Sequence, residues 1–196
     1  MEKNRLDNMK RIAKRGELFP PKYAFTLLIP LRNLILSPKK LIKRLGLKED
    51  DHVMELGSGP GYFSASVANS IPKGMLTLCD IQEEMLELSK KRMKKKQVHN
   101  VKYYLCNGID FKFKDGEFDC IFMVTVLGEI ENKQIYINEF QRLIRPGGLL
   151  SISEQAGDAD KLSITEIKNL FKDTEFIFEK VYGSKANFTI NFKRKK

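Results

Sequence analysis

A short run of glycines beside an acidic residue is the part of this sequence whose residue types and spacing indicate chemistry. Glu55-Leu56-Gly57-Ser58-Gly59-Pro60-Gly61 sets a glycine at every second position after the glutamate. Because glycine has no side chain, the backbone of such a run can approach a ligand closely. The run follows an apolar stretch, 52–56, and precedes a segment with helical periodicity, 62–71. We therefore expect a ligand-binding turn between a strand and a helix.

The spacing of the glycines separates this loop from the dinucleotide-binding fingerprint. That fingerprint, G-x-G-x-x-G, would require glycine at position 62, where the sequence has Tyr62. It also has no acid two positions before its first glycine, whereas Glu55 stands there. The loop therefore has the form E-x-G-x-G-x-G, and a dinucleotide is not the expected ligand.

Segments typical of strands and of helices alternate through most of the chain. Ser37 and Pro38, with Gly46 as a stop, predict a short helix ahead of the first strand. Strands that alternate with helices indicate a doubly wound α/β fold, in which helices cover both faces of a mostly parallel sheet. Strands are predicted at 52–56, 76–80, 101–105, 118–126 and 149–153, and further helices at 62–71, 83–95 and 132–143.

The C-terminal segment has a different pattern. Two alternating runs, 176–182 and 188–192, are joined only by residues 183–187. So short a link cannot make the crossover that parallel strands need, so the pair predicts an antiparallel hairpin. At 196 residues the chain is long enough for one domain, which we place at 37–196, preceded by an N-terminal segment, 1–36.

From about residue 38 to its end, the sequence resembles the class I S-adenosylmethionine (SAM)-dependent methyltransferases. Segments 111–119 and 143–148 are similar to that family's L-P-F-x-D-x-x-F-D and L-K-P-G-G patterns. Three other matches precede them: the 55–61 loop, Asp80, and the pair Asn107-Gly108. The resemblance implies a seven-stranded sheet in the order 3-2-1-4-5-7-6. It also implies SAM as the cofactor and S-adenosylhomocysteine (SAH) as its product.

The resemblance assigns the glycine-rich loop to the amino-acid part of the cofactor. The backbone around Gly57, Ser58 and Gly59 would contact the methionine moiety. Glu55 would either order the loop or meet the ammonium group. Gly61 would allow a helix to pack closely.

The resemblance assigns residues after the next strands to the nucleoside. Asp80 would accept hydrogen bonds from both ribose hydroxyls, and Ile81 would lie against the adenine. Asn107, followed by Gly108, stands where the family usually has an acid that meets the adenine amino group. Asparagine keeps the acceptor oxygen. Val124, in the fourth predicted strand, completes the expected cofactor-binding set.

Glu129 is the candidate catalytic residue. Methyl transfer is an in-line displacement that depends largely on alignment, although a carbon or hydroxyl acceptor benefits from a general base. Many small-molecule members of the family have a histidine after the fourth strand, where this chain has none and Glu129 is the nearest ionisable residue. A carboxylate that opens a helix can equally be a dipole partner. Glu154, at the end of the fifth strand, is a second candidate. The sequence has no paired Cys/His cluster, so we do not expect a metal-dependent mechanism.

Positive charge is concentrated at the front of the chain. The first 48 residues hold 13 Lys and Arg against three acids, which accounts for the whole net charge of +10. Residues 23–36 are strongly apolar but too short and interrupted to span a bilayer. This N-terminal segment predicts a lid over the cofactor, a contact with an anionic membrane surface, or an RNA contact. It lacks the aromatic interleaving typical of RNA binding.

The sequence leaves the methyl acceptor open. We expect a small acceptor, hydrophobic or lipid-like if the N-terminal segment meets a membrane. The alternatives are an RNA methyltransferase and a catalytically inactive SAM-binding sensor or subunit. The chain has no transmembrane segment in its hydropathy pattern, and its three cysteines, Cys79, Cys106 and Cys120, fall in or beside apolar runs. A cytoplasmic protein with buried free thiols is therefore expected.

Overall fold

The computed structural model describes residues 19–28 and 36–196. A 3-10 helix, Pro21–Leu28, precedes the main fold. Five α-helices follow: α1 Pro38–Leu45, α2 Ser64–Ser70, α3 Glu83–Lys95, α4 Lys133–Leu143 and α5 Ile164–Leu170. The seven strands are β1 His52–Leu56, β2 Met75–Asp80, β3 Val101–Leu105, β4 Phe118–Val124, β5 Ile144–Glu154, β6 Phe176–Gly183 and β7 Phe188–Arg194.

The strands form one sheet in the order β3-β2-β1-β4-β5-β7-β6, so the predicted topology is confirmed. Strands β1 to β5 pair in parallel, with Val53 opposite Leu76 on one side and opposite Cys120 on the other. Strand β7 runs antiparallel to both β5 and β6. The carboxyl ends of β1, β2, β4 and β5 therefore meet at one edge of the sheet, where open α/β folds bind their ligands.

Helices cover both faces of the sheet, as the apolar pattern predicted. On one face α4 and α5 contribute Ile137, Phe140 and Ile167, all fully buried, to a hydrophobic core. On the other face α1, α2 and α3 contribute Leu41, Val67 and Leu86. All three cysteines are buried free thiols. Within the described residues no helix is long and apolar enough to cross a membrane.

Three local predictions need correction. β4 ends at Val124 rather than at residue 126, because Thr125 turns into the left-handed region with φ of 56°. Strand β5 begins at Ile144, since the predicted turn at 145–148 is an irregularity within the β4–β5 pairing. Helix α5 was not predicted, although Ser163 and Glu166 form a capping box at its start. The 3-10 helix Pro21–Leu28 was not predicted either, and the remaining strands and α-helices lie within two residues of their predicted positions.

Helix α1 starts and ends as predicted, and it is tied to the far side of the sheet by buried polar groups. The Ser37 hydroxyl accepts the Lys40 amide, and Gly46 ends the helix with φ of 59°. In the last turn of α1, the Arg44 carbonyl accepts a hydrogen bond from the Asn191 side chain of β7 at 2.8 Å. The Asn191 side-chain oxygen accepts the Ser151 hydroxyl at 2.8 Å. Asn191 therefore links β7, β5 and α1 at one buried point.

We expect Asn191→Ala to destabilise the fold, because the Ser151 hydroxyl and the Arg44 carbonyl would both lose a partner inside the protein. Each buried polar group left unpaired costs roughly 1–3 kcal/mol. Urea denaturation followed by circular dichroism measures the change. The matched control is Asn169→Ala on the exposed surface of α5, which should shift stability by no more than about 0.5 kcal/mol. Equal stability of the two variants would contradict the structural role of Asn191.

Candidate functional site

The glycine-rich loop leaves β1 and is held by the end of the neighbouring strand β2. The amides of Gly57 and Ser58 both donate to the Cys79 carbonyl, at 2.8 and 3.1 Å. Gly57 and Gly59 have φ of 65° and 51°, a left-handed backbone that favours glycine. A Cβ on Gly57 would lie 2.4 Å from the Val126 Cγ2 atom. Both backbone conformation and space therefore require glycine at position 57.

Asp80, the last residue of β2, fixes the same loop from its side chain. One carboxylate oxygen accepts the Gly59 amide at 2.8 Å, and the other accepts the Gln82 amide at 3.0 Å. Burial raises the pKa of this carboxyl, and the backbone hydrogen bonds partly offset the rise. A carboxylate oxygen has two lone pairs, so both oxygens keep acceptor capacity for a further donor.

Glu55 lies below the loop, away from solvent. Its carboxylate accepts the Ser64 hydroxyl at 2.5 Å, which joins the end of β1 to the first turn of α2. Burial raises the pKa of Glu55 to about 8, and the Ser64 hydrogen bond offsets part of the rise. Of the two predicted roles for Glu55, this contact corresponds to ordering of the loop. A Cβ on Gly61 would lie 3.2 Å from the Ser89 Cβ atom and 3.1 Å from the Met93 Cε atom of α3. Glycine at this position therefore lets α3 pack closely against the loop.

Ile81 and Gly108 line a second part of the edge, next to Asp80. Ile81 is 44% exposed, and its Cδ1 atom lies 3.7 Å from the position of a Cβ on Gly108. The Tyr136 hydroxyl of α4 lies 3.4 Å from the same point. The Asn107 side-chain oxygen accepts the amides of Ile109 and Asp110, so it shapes its own loop beside the position predicted for the adenine.

Acidic side chains gather where β4 and β5 end. Glu129 lies in the loop that follows Val124, the last residue of β4. Burial raises the pKa of Glu129 to about 8, and the nearby carboxylates of Asp158, Asp160 and Asp80 raise it further. Glu154 ends β5, and burial raises its pKa to about 8 as well, with Asp158 adding to the rise. The loop after β5 closes on this region, since a Cβ on Gly128 would lie 1.9 Å from the Asp160 carbonyl oxygen.

Several buried polar atoms at this edge have no hydrogen-bond partner. They are the Ser58 hydroxyl of the glycine-rich loop, both carboxyl oxygens of Glu154 and the amide nitrogen of Gln155. Buried polar groups in folded proteins are nearly always paired, so unpaired ones indicate a site completed by something else. Among the described residues, no group of three or more His, Cys, Asp and Glu side chains could hold a metal ion.

The described part of the N-terminal segment lies over the loop. In the 3-10 helix, the Leu27 Cδ1 atom lies 3.8 Å from the position that a Cβ on Gly59 would take, and Ala24 is buried. The same helix contacts α3. The rest of the predicted segment, residues 1–18 and 29–35, lies outside the described residues, together with most of its basic side chains.

A polar hollow of about 260 Å³ lies at the opposite, amino-terminal edge of the sheet. It is lined by His52, Asp119 and Arg145 together with Lys48, Asp50 and Asp51. The His52 amide donates to Asp119, and Asp119 pairs with Arg145. Asp119 is thus paired with two of the lining residues, and the hollow lies away from the strand ends where α/β sheets bind ligands. We therefore place the functional site at the glycine-rich loop.

Comparison with known families shows which family the chain belongs to. A family model described as "Methyltransferase domain" matches residues 47–190, which include the loop, Asp80, Glu129 and Glu154. The chain belongs to this methyltransferase family. Membership implies SAM as the cofactor, as the resemblance of the glycine-rich loop predicted.

Individual relatives and structures extend the comparison. The chain is 34% identical over 112 residues to "Demethylmenaquinone methyltransferase" of Tropheryma whipplei (strain Twist), covering 57% of this chain and 45% of that protein. It is 30% identical over 118 residues to "Ubiquinone/menaquinone biosynthesis C-methyltransferase UbiE" of Francisella tularensis subsp. novicida, covering 59% and 47%. The alignments thus span about half the length of these relatives. A SAM-dependent methyltransferase from Aquifex aeolicus has the same fold, with a TM-score of 0.84 at 22% identity over 90% of this chain and all of that one.

The residues at the edge fit such a cofactor. Gly57 and Gly59 leave the backbone open to a ligand, the Ser58 hydroxyl is buried without a partner, and Asp80 retains acceptor capacity. Sequence reasoning had identified these positions. It missed Val126 and Tyr136, which approach the loop and its neighbours only through the tertiary fold, whereas Leu27 belongs to the segment predicted as a lid. Helical spacing in the sequence marks Tyr136 as a core residue, but nothing in the sequence pairs it with Gly108.

The buried carboxyls predict an unusual pH dependence of stability. Glu55, Glu129 and Glu154 have pKa values of about 8 in the folded chain, against 4.5 for the free side chain. Between these values the unfolded chain releases protons that the folded chain keeps, so stability falls as pH rises from about 4.5 to about 8. The melting temperature should be higher at pH 6 than at pH 8.5.

Glu55→Gln should flatten this dependence, because the amide cannot ionise but still accepts the Ser64 hydroxyl. Glu179→Gln, an exposed position on β6, serves as the matched control and should leave the slope unchanged. A melting temperature that rises between pH 6 and pH 8.5 would show that these carboxyls are ionised in the folded state.

Proposed function

We propose that this chain is a SAM-dependent methyltransferase that methylates a small, quinone-like aromatic acceptor in its reduced, hydroxylated form. The observation that carries the proposal is the position of Glu129. Its carboxyl is largely buried, lies within the electrostatic field of Asp80 and follows β4 at the edge where the glycine-rich loop stands. The relatives named as demethylmenaquinone and ubiquinone/menaquinone C-methyltransferases support the aromatic acceptor.

The residues that would hold the cofactor divide by the strand they follow. The loop after β1 would present the Gly57 and Gly59 backbone and the Ser58 hydroxyl to the amino-acid part. Asp80, after β2, would accept the ribose hydroxyls, and Ile81, Gly108 and Asn107 would border the adenine, with Val124 at the end of β4. When bound, SAM supplies a methyl group on a positively charged sulfur, which is open to attack by an electron-rich atom.

Glu129 would act as the general base. A ring carbon becomes a strong enough nucleophile when a hydroxyl on the same ring loses its proton, and the ionised Glu129 carboxylate can accept that proton. Bound SAM would supply the methyl group to that ring carbon, and loss of the proton from the methylated carbon would restore the aromatic ring, so the role of Glu129 is confined to the hydroxyl proton. A pKa of about 8 places Glu129 near physiological pH, where a base is effective.

The 3-10 helix Pro21–Leu28 would serve this reaction as a cover. Its contact with Gly59 lies directly over the loop. Exclusion of water from the reacting groups strengthens the electrostatic interactions between them. Phe25 of the same helix is 66% exposed and supplies an apolar surface next to the site, which suits a hydrophobic acceptor.

The cofactor assignment is tested by calorimetric titration of SAH into Asp80→Ala. Losing hydrogen bonds to a charged group costs about 1.5–3 kcal/mol, so we expect SAH affinity to fall roughly 10- to 150-fold. Glu84→Ala removes an exposed acid from the first turn of α3 and should leave the affinity unchanged. Unaltered SAH binding by Asp80→Ala would contradict the ribose contact.

The base is tested by the pH profile of Glu129→Gln with 1,4-naphthohydroquinone as the acceptor. In the unmodified chain, kcat should rise with pH and level off above about 8, because only ionised Glu129 can take the proton. The variant should lose about 10²- to 10⁴-fold in kcat together with that rise, while SAH affinity is retained. The matched control is Glu131→Gln, an exposed neighbour. Retention of the rising limb in Glu129→Gln would assign the base elsewhere.

A further inference from the structure

Glu154 occupies an environment that the folded chain alone does not explain. It is the last residue of β5, pairs with Phe188 of β7 and is 1% exposed. Neither of its carboxyl oxygens has a hydrogen-bond partner. The Leu162 backbone amide is close enough to lower the pKa of the carboxyl and so offsets part of the effect of burial, but neither oxygen has a donor at hydrogen-bond distance and angle.

The charged groups around Glu154 do not pair with it. Asp158 and Glu129 add negative charge to its surroundings. Lys161 is the one positive contribution among the electrostatic effects found at this carboxyl, but its ammonium group donates to the Lys185 carbonyl at 2.8 Å. An unpaired buried carboxyl destabilises a fold, and an apolar side chain of similar size is usually better tolerated at such a position.

The position of Glu154 relative to Glu129 suggests what supplies the missing partner. Glu154 ends β5 and Glu129 follows the end of β4, and these two strands are parallel neighbours, since Val124 pairs with Ser153. Glu129 acts electrostatically on Glu154, so the two carboxyls lie near each other, as contact with two hydroxyls of one aromatic ring would require. The orphaned Gln155 amide and Ser58 hydroxyl belong to the same edge of the sheet.

We propose that Glu154 binds a second hydroxyl group of the acceptor, distinct from the hydroxyl that Glu129 deprotonates. The inference rests on the proposed function, because it takes a dihydroxylated aromatic ring as the acceptor. A hydroxyl donates to an ionised carboxyl and accepts from a protonated one, so it satisfies Glu154 in either state. Glu154 is thus a specificity-determining residue that selects an acceptor with hydroxyls at two ring positions.

The test compares two probes on three chains: the unmodified chain, Glu154→Leu and Glu154→Gln. The probes are 1,4-naphthohydroquinone and 4-methoxy-1-naphthol, in which one hydroxyl is capped by a methyl group. Their affinities are measured calorimetrically without oxygen and with saturating SAH. Removing the residue and capping the hydroxyl form a cycle that isolates their interaction. Melting temperature and SAH affinity are recorded for every chain.

We expect Glu154→Leu to bind the hydroquinone about tenfold or more weakly and to lose the preference over the capped probe. Glu154→Gln keeps a hydrogen-bonding group and should retain much of that preference. The leucine variant should melt at the same or a higher temperature, with SAH affinity within about twofold of the original. A purely structural residue would not produce this combination of unchanged folding and lost hydroxyl preference.

Other outcomes contradict the inference. Full preference for the hydroquinone in Glu154→Leu would overturn it while leaving the proposed function intact. So would a leucine variant that melts lower and loses SAH and hydroquinone affinity to the same extent, which would show a structural residue. If the unmodified chain binds SAH but neither aromatic probe, the proposed acceptor class is wrong and this inference fails with it.

Discussion

The attachment of the glycine-rich loop to the end of β2 is the constraint on which the rest of the site depends. Two loop amides share the Cys79 carbonyl, and a third donates to the Asp80 carboxylate. Strand β2 therefore holds, through backbone and side chain together, the loop that leaves β1. The left-handed conformation of Gly57 and its tight approach to Val126 add the end of β4 to this arrangement. Three strand ends are thereby fixed relative to one another.

The second organising feature is the amount of carboxyl buried near that loop. Glu55, Glu129 and Glu154 are withdrawn from water at different strand ends, and burial is the largest cause of the raised pKa of each. Their surroundings nevertheless differ. Glu55 has a hydroxyl partner within the fold, whereas Glu154 has none. This contrast separates a carboxyl that stabilises the architecture from one whose partner we assign to the acceptor.

Much of the fold was predictable because its signals are local. Apolar runs predicted the positions of the central strands, and Ser37, Pro38 and Gly46 predicted the start and end of α1. The short link between the last two strands required a hairpin, and the family resemblance supplied its insertion beside β5. The end of β4 was not predictable, because a β-branched residue such as Thr125 gives no sequence indication of a left-handed backbone. The capping box of α5 was readable, but its helix is short and weakly periodic.

The site was predictable in part for a physical reason. The spacing of the loop glycines located Gly57, and the family resemblance located Asp80 at the end of the next predicted strand. The engagement of the Asn107 oxygen by two amides of its own loop depends on how that loop folds. The missing partner of Glu154 depends on every element packed around it, and no pattern of residues reports an absent hydrogen bond.

A crystal structure of the chain with SAH bound tests the central claim most directly. The account predicts the ribose hydroxyls at the Asp80 carboxylate, the amino-acid part along the Gly57–Gly59 backbone, and the sulfur directed toward Glu129. The space beyond the sulfur should lead to Glu154. SAH bound elsewhere, or bound with its sulfur turned away from the ends of β4 and β5, would contradict the account.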